Sequence, residues 1–413
     1  MLPHVVRTII LFSICVAALV RPIGHRVGEI STKKAWKILM QVEQAVTREL
    51  GRWGQWEYQE FVKRCRLLGP QPFVMLEERL SREVMASNNY NRLTVMPFLL
   101  WAVAVNGGEE ASKFLKDFVT DRWRFWWGLL PLRGASFTVR DVFWWRTIAL
   151  AGWSYCAPQK ACWFALKELR TRWEFGKTYR LPQPGRRMDY EWELVCMKAA
   201  AIGAPEFLAD LICEMKRRNK FPDDSEFTLR ETIGVWPPNA LPALLKLLPK
   251  LRRDFIPYLL FIPSKKAASI VWESFLEGKT SIRFTASYPF VVPLQNIGFI
   301  LQNAIAKSRS HPSKIANLLR ALLQDLHRTD APFILSANPW EFWFQYNFCW
   351  YNQRRLHISW LKKFINLYGA TIRRLISCLL KSNQVPRQEI LELEHLWKGL
   401  KRSISNSNFR RGF

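Results

Sequence analysis

Acidic residues are scarce in this chain, which carries 34 Asp and Glu against 61 Lys and Arg in 413 residues, a formal net charge of +27. The glycine-rich phosphate loops GxGxxG and GxxxxGKS/T are absent, and so are the GxSxG nucleophile elbow and the HExxH zinc motif. These absences exclude the common nucleotide-binding, hydrolase and zincin signatures. We expect no cofactor and no bound metal, and a role other than catalysis is favoured.

Paired cysteines are lacking as well. The eight cysteines are scattered along the chain, with no CxxC pair and no Cys/His cluster of zinc spacing. Cys196 and Cys213 lie within apolar stretches. The pattern indicates buried free thiols in a reducing compartment rather than a disulfide framework.

Long apolar runs are also missing, since no segment after the N-terminus offers eighteen clean apolar residues. Residues Thr8–Val20 are apolar except for Thr8 and Ser13. As a helix this run spans about 20 Å, less than a hydrocarbon core of about 30 Å. Three interpretations stay open for the segment 1–27: a membrane tether, a signal peptide or a core helix. For a tether, the basic residues that follow it place the body of the chain on the cytoplasmic side.

The hydrophobic pattern is helical. Ile315, Leu318, Leu319, Leu322 and Leu326 recur at the spacing of one helix face, and Leu241, Leu244, Leu245 and Leu248 repeat the arrangement. Caps and breakers place helix starts near residues 31, 53, 71, 92, 107, 139, 158, 188, 205, 225, 238, 251, 264, 290, 312, 339, 354, 370 and 387. The sequence predicts an all-α fold of stacked helical hairpins, an irregular α-solenoid-like array without a strict repeat motif.

The breaks suggest a division of the chain. We expect an apolar N-terminal helix at 1–27, a helical region at 28–181 that is rich in Trp and Arg in its second half, and helical hairpins at 182–402. Residues 403–413 are predicted to form a disordered basic tail. From Trp340 to Tyr351 the aromatic residues fit both a strand of period two and a helix face. The cap Asn338-Pro339-Trp340-Glu341 favours the helix.

Two basic blocks hold most of the excess charge. From Arg122 to Arg187 there are thirteen basic residues and three acidic ones. Arginines neutralise phosphates while indole rings stack on unpaired bases, so this block predicts a single-strand binder. Core packing is the alternative for the rings, and it is the interpretation favoured for the tryptophans, whereas Arg180–Arg187 has little apolar content to bury. The candidate contacts are Arg122, Arg124, Arg146, Arg170, Arg172, Lys177, Arg180, Arg186 and Arg187, with Trp123, Trp126, Trp127, Trp144 and Trp145 as stacking candidates.

The second block runs from Arg354 to Phe413 and again has thirteen basic residues against three acidic ones. Three dibasic pairs supply its candidate contacts: Arg354, Arg355, Lys362, Lys363, Arg373 and Arg374. A helical wheel places these pairs roughly opposite Leu356, Trp360, Phe364, Leu367 and Tyr368. Gly369 is a possible break between two helices. A basic amphipathic helix is typical of a membrane-surface or partner-binding element, and a solvated face of a packed hairpin is the alternative.

Acidic and histidine motifs are weak. Glu392-x-x-His395 matches half of a di-iron motif, but a single copy favours a solvated face. Asp223-Asp224 follows Pro222, which favours a turn or a helix cap over a metal site.

The charge and aromatic content therefore predict a non-catalytic helical scaffold that binds an anionic partner, with nucleic acid favoured. A peripheral or single-pass membrane protein that binds anionic phospholipid or an acidic protein is the first alternative. An enzyme with an unrecognised all-α site is the second, with Glu392, His395 or Asp223 lining a pocket.

Overall fold

A computed structural model describes residues 96–120, 139–175, 186–252, 254–282, 284, 292–327, 340–341, 343–344 and 350–409. Of this part of the chain, 83% is helical and none is in a β-strand. The prediction of an all-α fold is confirmed. The solenoid-like array and the N-terminal tether stay predictions.

The described residues form a series of helices. In chain order they are α1 Met96–Asn106, α2 Gly108–Val119, α3 Val139–Cys156, α4 Pro158–Phe175, α5 Arg186–Gly203, α6 Pro205–Arg217, α7 Asp223–Arg230, α8 Leu241–Leu247, α9 Lys265–Leu276, α10 Leu294–Lys307, α11 Pro312–His327, α12 Trp350–Lys381 and α13 Arg387–Phe409. Four 3-10 turns lie between α7 and α9, at Ile233–Val235, Pro238–Ala240, Leu248–Lys250 and Ile256–Phe261. Residues 340, 341, 343 and 344 are helical as well.

The aromatic segment at 340–344 packs against the first helices of the described chain. The Trp340 indole donates a hydrogen bond to Ser154 Oγ of α3 at 3.1 Å. Phe344 stacks on Trp101 of α1 with 4.7 Å between ring centroids. Trp340, Trp343 and Phe344 are buried, so the helical face predicted for these rings is an interior face. Residues far apart in sequence thus share one core.

Helices α4 and α5 pack antiparallel to each other, on either side of the domain boundary that the sequence predicts between residues 181 and 182. The end of α5 crosses the start of α4 so closely that a Cβ on Gly203 would lie 2.5 Å from the Pro158 carbonyl oxygen. Only glycine permits this approach of the two backbones. The hydrophobic core therefore includes residues on both sides of that predicted boundary.

The C-terminal helices are joined by hydrogen bonds and ion pairs between their side chains and backbones. The Tyr368 hydroxyl of α12 donates to the Leu294 carbonyl of α10 at 2.7 Å. Arg320 of α11 pairs with Glu389 and Glu392 of α13, and His327 Nε2 donates to the Leu396 carbonyl further along the same two helices. The contacts advance together along α11 and α13, so these two helices run parallel.

Most predicted starts from residue 107 onward are confirmed within a few residues, with Val139, Pro158, Pro205 and Pro312 among the matches. Ser264 caps α9 by accepting a hydrogen bond from Ala267 N, and Gly278 ends it with a positive φ of 78°. The predicted starts at 31, 53, 71 and 92 lie outside the described residues.

Three predictions of local structure are wrong. The sequence Asn106-Gly-Gly-Glu109 predicts that Asn106 caps α2, but the Asn106 side chain bonds back to the Ala102 carbonyl within α1. A 3-10 turn at Ile256–Phe261 replaces the helix start predicted at 251. Gly369 does not divide α12, which is continuous from Trp350 to Lys381. The glycine lies beside the Trp397 ring of α13, where a Cβ would make an ordinary van der Waals contact at 3.4 Å.

The two ends of the chain are described to different extents. Helix α13 extends to Phe409, into the segment 403–413 for which the sequence predicts disorder. The Thr8–Val20 segment lies outside the described residues, and among the helices that are described none has both the length and the hydropathy needed to cross a bilayer.

Candidate anion-binding face

Helix α12 contains no Asp or Glu in its 32 residues. Its basic side chains belong to Arg354, Arg355, Lys362, Lys363, Arg373, Arg374 and Lys381. The helix is about 48 Å long at about 1.5 Å per residue. One side of it is buried through Leu361, Phe364, Ile372, Leu375 and Leu379. The opposite side faces solvent.

The solvent side of α12 forms a cationic stripe, which we define as the exposed residues Lys363, Asn366, Leu367, Ala370, Arg373, Arg374, Ser377, Leu380 and Lys381. These positions recur at the three- and four-residue spacing of a single helix face. From Lys363 to Lys381 the stripe extends about 27 Å along the helix. Four of its nine residues are cationic.

The four cations of the stripe, Lys363, Arg373, Arg374 and Lys381, make no ion pair with any residue that the structure describes. The nearest acidic helix in sequence, α13, directs its carboxylates elsewhere. Its Glu389 and Glu392 bind Arg320 of α11 at 2.7 and 3.1 Å, and its Glu394 binds Lys398 of the same helix. Among the residues that the structure describes, the positive charge of the stripe is therefore not neutralised.

The predicted helical wheel of α12 is partly wrong. Leu367, assigned to the apolar face, is 53% exposed and belongs to the cationic stripe. Phe364 is buried as predicted, whereas Lys362 is partly buried. The side of α12 that packs against α10 and α13 depends also on the apolar residues after Gly369. The predicted helical wheel did not include those residues. Arg354 and Arg355 lie in α12, and only their backbone is described.

The first basic block divides among several environments. Arg146 is buried, donates to the Val119 carbonyl through Nε and Nη2, and lies 5.2 Å above the Trp192 ring centroid. Arg170 pairs with Glu214 at 2.8 Å, and Arg172 pairs with Glu193 at 3.0 Å. These three arginines hold helices together. Only the backbone of Arg186 and Arg187 is described, and Arg122, Arg124, Lys177 and Arg180 lie outside the described residues.

The stacking candidates that the structure describes point inward. Trp145 is buried, and Trp144 packs against Trp343 at 6.3 Å between centroids. Trp123, Trp126 and Trp127 lie outside the described residues. The block does present an indole to solvent at Trp163, which sequence reasoning missed. Its position between Lys160 and Lys167, at i+3 and i+7 on one helix face, was the available signal.

A buried ionic network lies beneath the first block. Glu193 of α5 accepts hydrogen bonds from Trp173 Nε1 at 2.9 Å and from the Ser225 hydroxyl, and it pairs with Arg172. Glu226 of α7 is equally buried and pairs with Lys216 of α6. Each carboxylate joins side chains from different helices. These groups are fully engaged in packing the helices, so they serve structure rather than binding.

Lys198 of α5 is buried beside two carboxylates. Burial lowers its pKa to about 8, because desolvation of the ammonium outweighs the attraction of Glu231 and Glu191. Burial also raises the pKa of Glu231, against the hydrogen bond from Tyr190 and the charge of Lys198. The titration of Lys198 is thus coupled to folding.

The unfolded chain has a lysine pKa of 10.5, so between pH 8 and 10.5 it binds more protons at residue 198 than the folded chain does. The contribution of this group to the free energy of unfolding therefore rises with pH across that window. We expect the stability of the natural chain minus that of Lys198→Met to increase by on the order of 3 kcal/mol over the window. Urea unfolding at several pH values measures it. The exposed Lys266→Met is the control, and a pH-independent difference for Lys198→Met would contradict the coupling.

Five of the described residues are cysteines without a disulfide partner. Cys156, Cys162, Cys196, Cys213 and Cys378 are free, and the first three have raised pKa values because burial disfavours the thiolate. For Cys156 the pKa rises to about 11. The prediction of buried free thiols is confirmed for Cys162 and Cys196.

The acidic candidates for an enzyme site do not converge. Asp223 forms a two-oxygen contact with Arg252, whereas Glu392 pairs with Arg320 and His395 is exposed on α13. Asp223 and Asp224 lie in the first turn of α7, as the helix-cap interpretation predicts. Across the described residues no group of three or more His, Cys, Asp or Glu is placed to hold a metal ion.

Comparison of the chain with known protein families, with curated proteins and with solved structures finds no match. The candidate function therefore depends on the chemistry of the cationic stripe alone.

Proposed function

We propose that this protein is a helical scaffold that binds the phosphate backbone of nucleic acid through the cationic stripe of α12. The observation that supports the proposal is a row of four exposed cations on a helix without carboxylates, while the acidic residues of α13 are engaged by other partners. Surfaces of soluble proteins ordinarily mix both signs of charge. A concentrated single-sign surface attracts polyanions and gains affinity from the release of their counterions.

The composition of the stripe indicates how the protein would recognise the phosphate backbone of the nucleic acid. Its exposed residues include no aromatic side chain and no carboxylate. Phosphate contacts position a protein on nucleic acid but carry no sequence information, which comes from base edges and stacking. We therefore expect sequence-independent binding with a strong dependence on salt.

The experiment is fluorescence anisotropy of the full chain with labelled single-stranded RNA, single-stranded DNA and duplex DNA of mixed sequence, measured across a salt series. We expect binding to all three at low salt, with log affinity falling linearly against log salt by about 0.7–0.9 per phosphate contact. Absence of binding at the lowest salt would refute the proposal.

A second candidate is binding to an anionic phospholipid surface, and one observation favours it. Leu367 and Leu380 are both about half exposed and lie within the stripe among its cations. Apolar residues beside lysine and arginine are typical of helices that lie at a membrane interface. The variant Leu367→Ser/Leu380→Ser separates the candidates: it should weaken binding to phosphatidylserine vesicles and leave binding to oligonucleotides unchanged.

A further inference from the structure

Two large aromatic side chains are exposed side by side on a surface remote in sequence from α12. Trp163 of α4 is 53% exposed and Phe207 of α6 is 56% exposed. Their rings meet edge to face with 4.8 Å between centroids. Tryptophan and phenylalanine are enriched at protein interfaces and depleted from plain solvated surfaces. The pair is the apolar centre of a surface that the described residues leave exposed.

Helices α4 and α6 run parallel at this surface, in a constant register. Trp163 meets Phe207, Arg170 binds Glu214 and Glu174 binds Arg218. Each contact joins residues that are 44 positions apart. Any residue on the outer face of α4 therefore lies level with the residue 44 positions later in α6.

The two helices present opposite charges on either side of the aromatic pair. The outer face of α4 carries Lys160, Lys167 and Arg170, whereas that of α6 carries the acidic row Glu206, Asp210 and Glu214. Within the part of the chain that the structure describes, Lys167, Glu206 and Asp210 form no ion pair. Lys160 contacts Glu109 at 3.8 Å, but both side chains are largely exposed, so that contact is readily exchanged.

We infer that this surface, the α4/α6 face, binds a second copy of the chain in a two-fold symmetric dimer. A two-fold axis parallel to the helices and midway between them places α4 of one copy over α6 of the other without reversing direction. Lys167, which lies level with residue 211, then faces the partner's Asp210. Lys160 comes near the partner's Glu206, and Trp163 packs on the partner's Phe207.

The register makes this arrangement self-complementary. In an isologous interface every contact occurs twice, so the basic row of each copy meets the acidic row of the other. A polyanion or an anionic membrane suits the face poorly, because its acidic row would repel either one. The mixed charge distinguishes the α4/α6 face from the cationic stripe of α12, so the dimer does not depend on the proposed function.

Two variants that each reverse one charge, and a combined variant that restores the opposite-charge pairs, test the dimer. Sedimentation velocity of the full chain over a concentration series measures the dissociation constant. Lys167→Glu and Asp210→Lys each create two like-charge contacts, and we expect each to raise the constant by about tenfold or more. The combined variant Lys167→Glu/Asp210→Lys restores both pairs with their signs exchanged, so the dimer should return. All the altered side chains are exposed, so folding is not at risk.

Two further variants complete the design. Trp163→Ala removes the aromatic anchor and should also raise the dissociation constant by about tenfold or more. Lys363→Glu, a charge reversal on the stripe of α12, serves as the matched control and should leave the dimer unchanged. A chain that is monomeric throughout the series would overturn the inference. A dimer whose dissociation constant is unchanged by the single charge reversals would also overturn it. So would a combined variant whose dissociation constant stays as high as that of either single variant.

Discussion

The triple variant Lys363→Gln/Arg373→Gln/Arg374→Gln should bind oligonucleotides roughly 100-fold more weakly than the natural chain at about 0.1 M salt. These three side chains are exposed and lie on one face of α12. If each contacts a phosphate, each releases a counterion on binding. Their removal should therefore also reduce the slope of log affinity against log salt by about 2 to 3.

A matched control separates the stripe from the general charge of the molecule. Lys220→Gln/Lys265→Gln/Lys266→Gln removes the same number of positive charges from exposed positions outside α12. We expect it to lower affinity only slightly and to leave the salt slope unchanged. Equal losses in the two variants would mean that net charge, rather than the stripe, attracts the nucleic acid.

Removal of the Glu193 carboxylate should lower the free energy of unfolding by about 3–5 kcal/mol, since the partners of a buried ion pair are then left without their acceptor. Glu193 is 3% exposed and joins α5 to α4 through Trp173 and Arg172, and to α7 through Ser225. In Glu193→Ala the Trp173 indole N–H loses its acceptor within the core. Urea unfolding of both chains at pH 7 measures the difference.

The exposed pair between Glu214 and Arg170 provides the comparison. Both side chains are substantially accessible to solvent, with Arg170 at 52%. Solvent screening leaves such pairs with little net effect, so Glu214→Ala should unfold at nearly the natural urea concentration. A Glu193→Ala chain as stable as Glu214→Ala would show that the buried network does not hold the helices together.

Local signals in the sequence predicted the helices well because caps and breakers act within a few residues. Ser264 and Gly278 bound α9 through one side-chain hydrogen bond and one left-handed backbone conformation. Proline predicted the starts of α4, α6 and α11 because it suits the first turn, where its missing N–H is not needed. Gly369 misled the prediction because α12 continues through it while packing against α10 and α13.

The candidate site was predicted only in part. The density of cations in the second block directed attention to α12, but sequence alone assigned the exposed Leu367 to the buried side and omitted Lys381 from the candidate contacts. In the first block it named Arg146 as a candidate contact and Trp145 as a stacking candidate, while favouring core packing for the tryptophans, and both residues are buried. Arg146 bonds the Val119 carbonyl and packs on Trp192. The sequence alone does not distinguish such a structural arginine from an exposed arginine that could bind a phosphate.

The sequence by itself determined the helical class, most helix boundaries and the excess of positive charge, because these depend on composition and on neighbours within one or two turns. Tertiary structure alone decided which cations remain available. Arg320 engages the acidic residues of α13, so the stripe of α12 keeps its charge, while Glu193 and Glu214 engage Arg172 and Arg170. The pairing of charges depends on which helices pack together, and that packing brings together residues tens of positions apart in the chain.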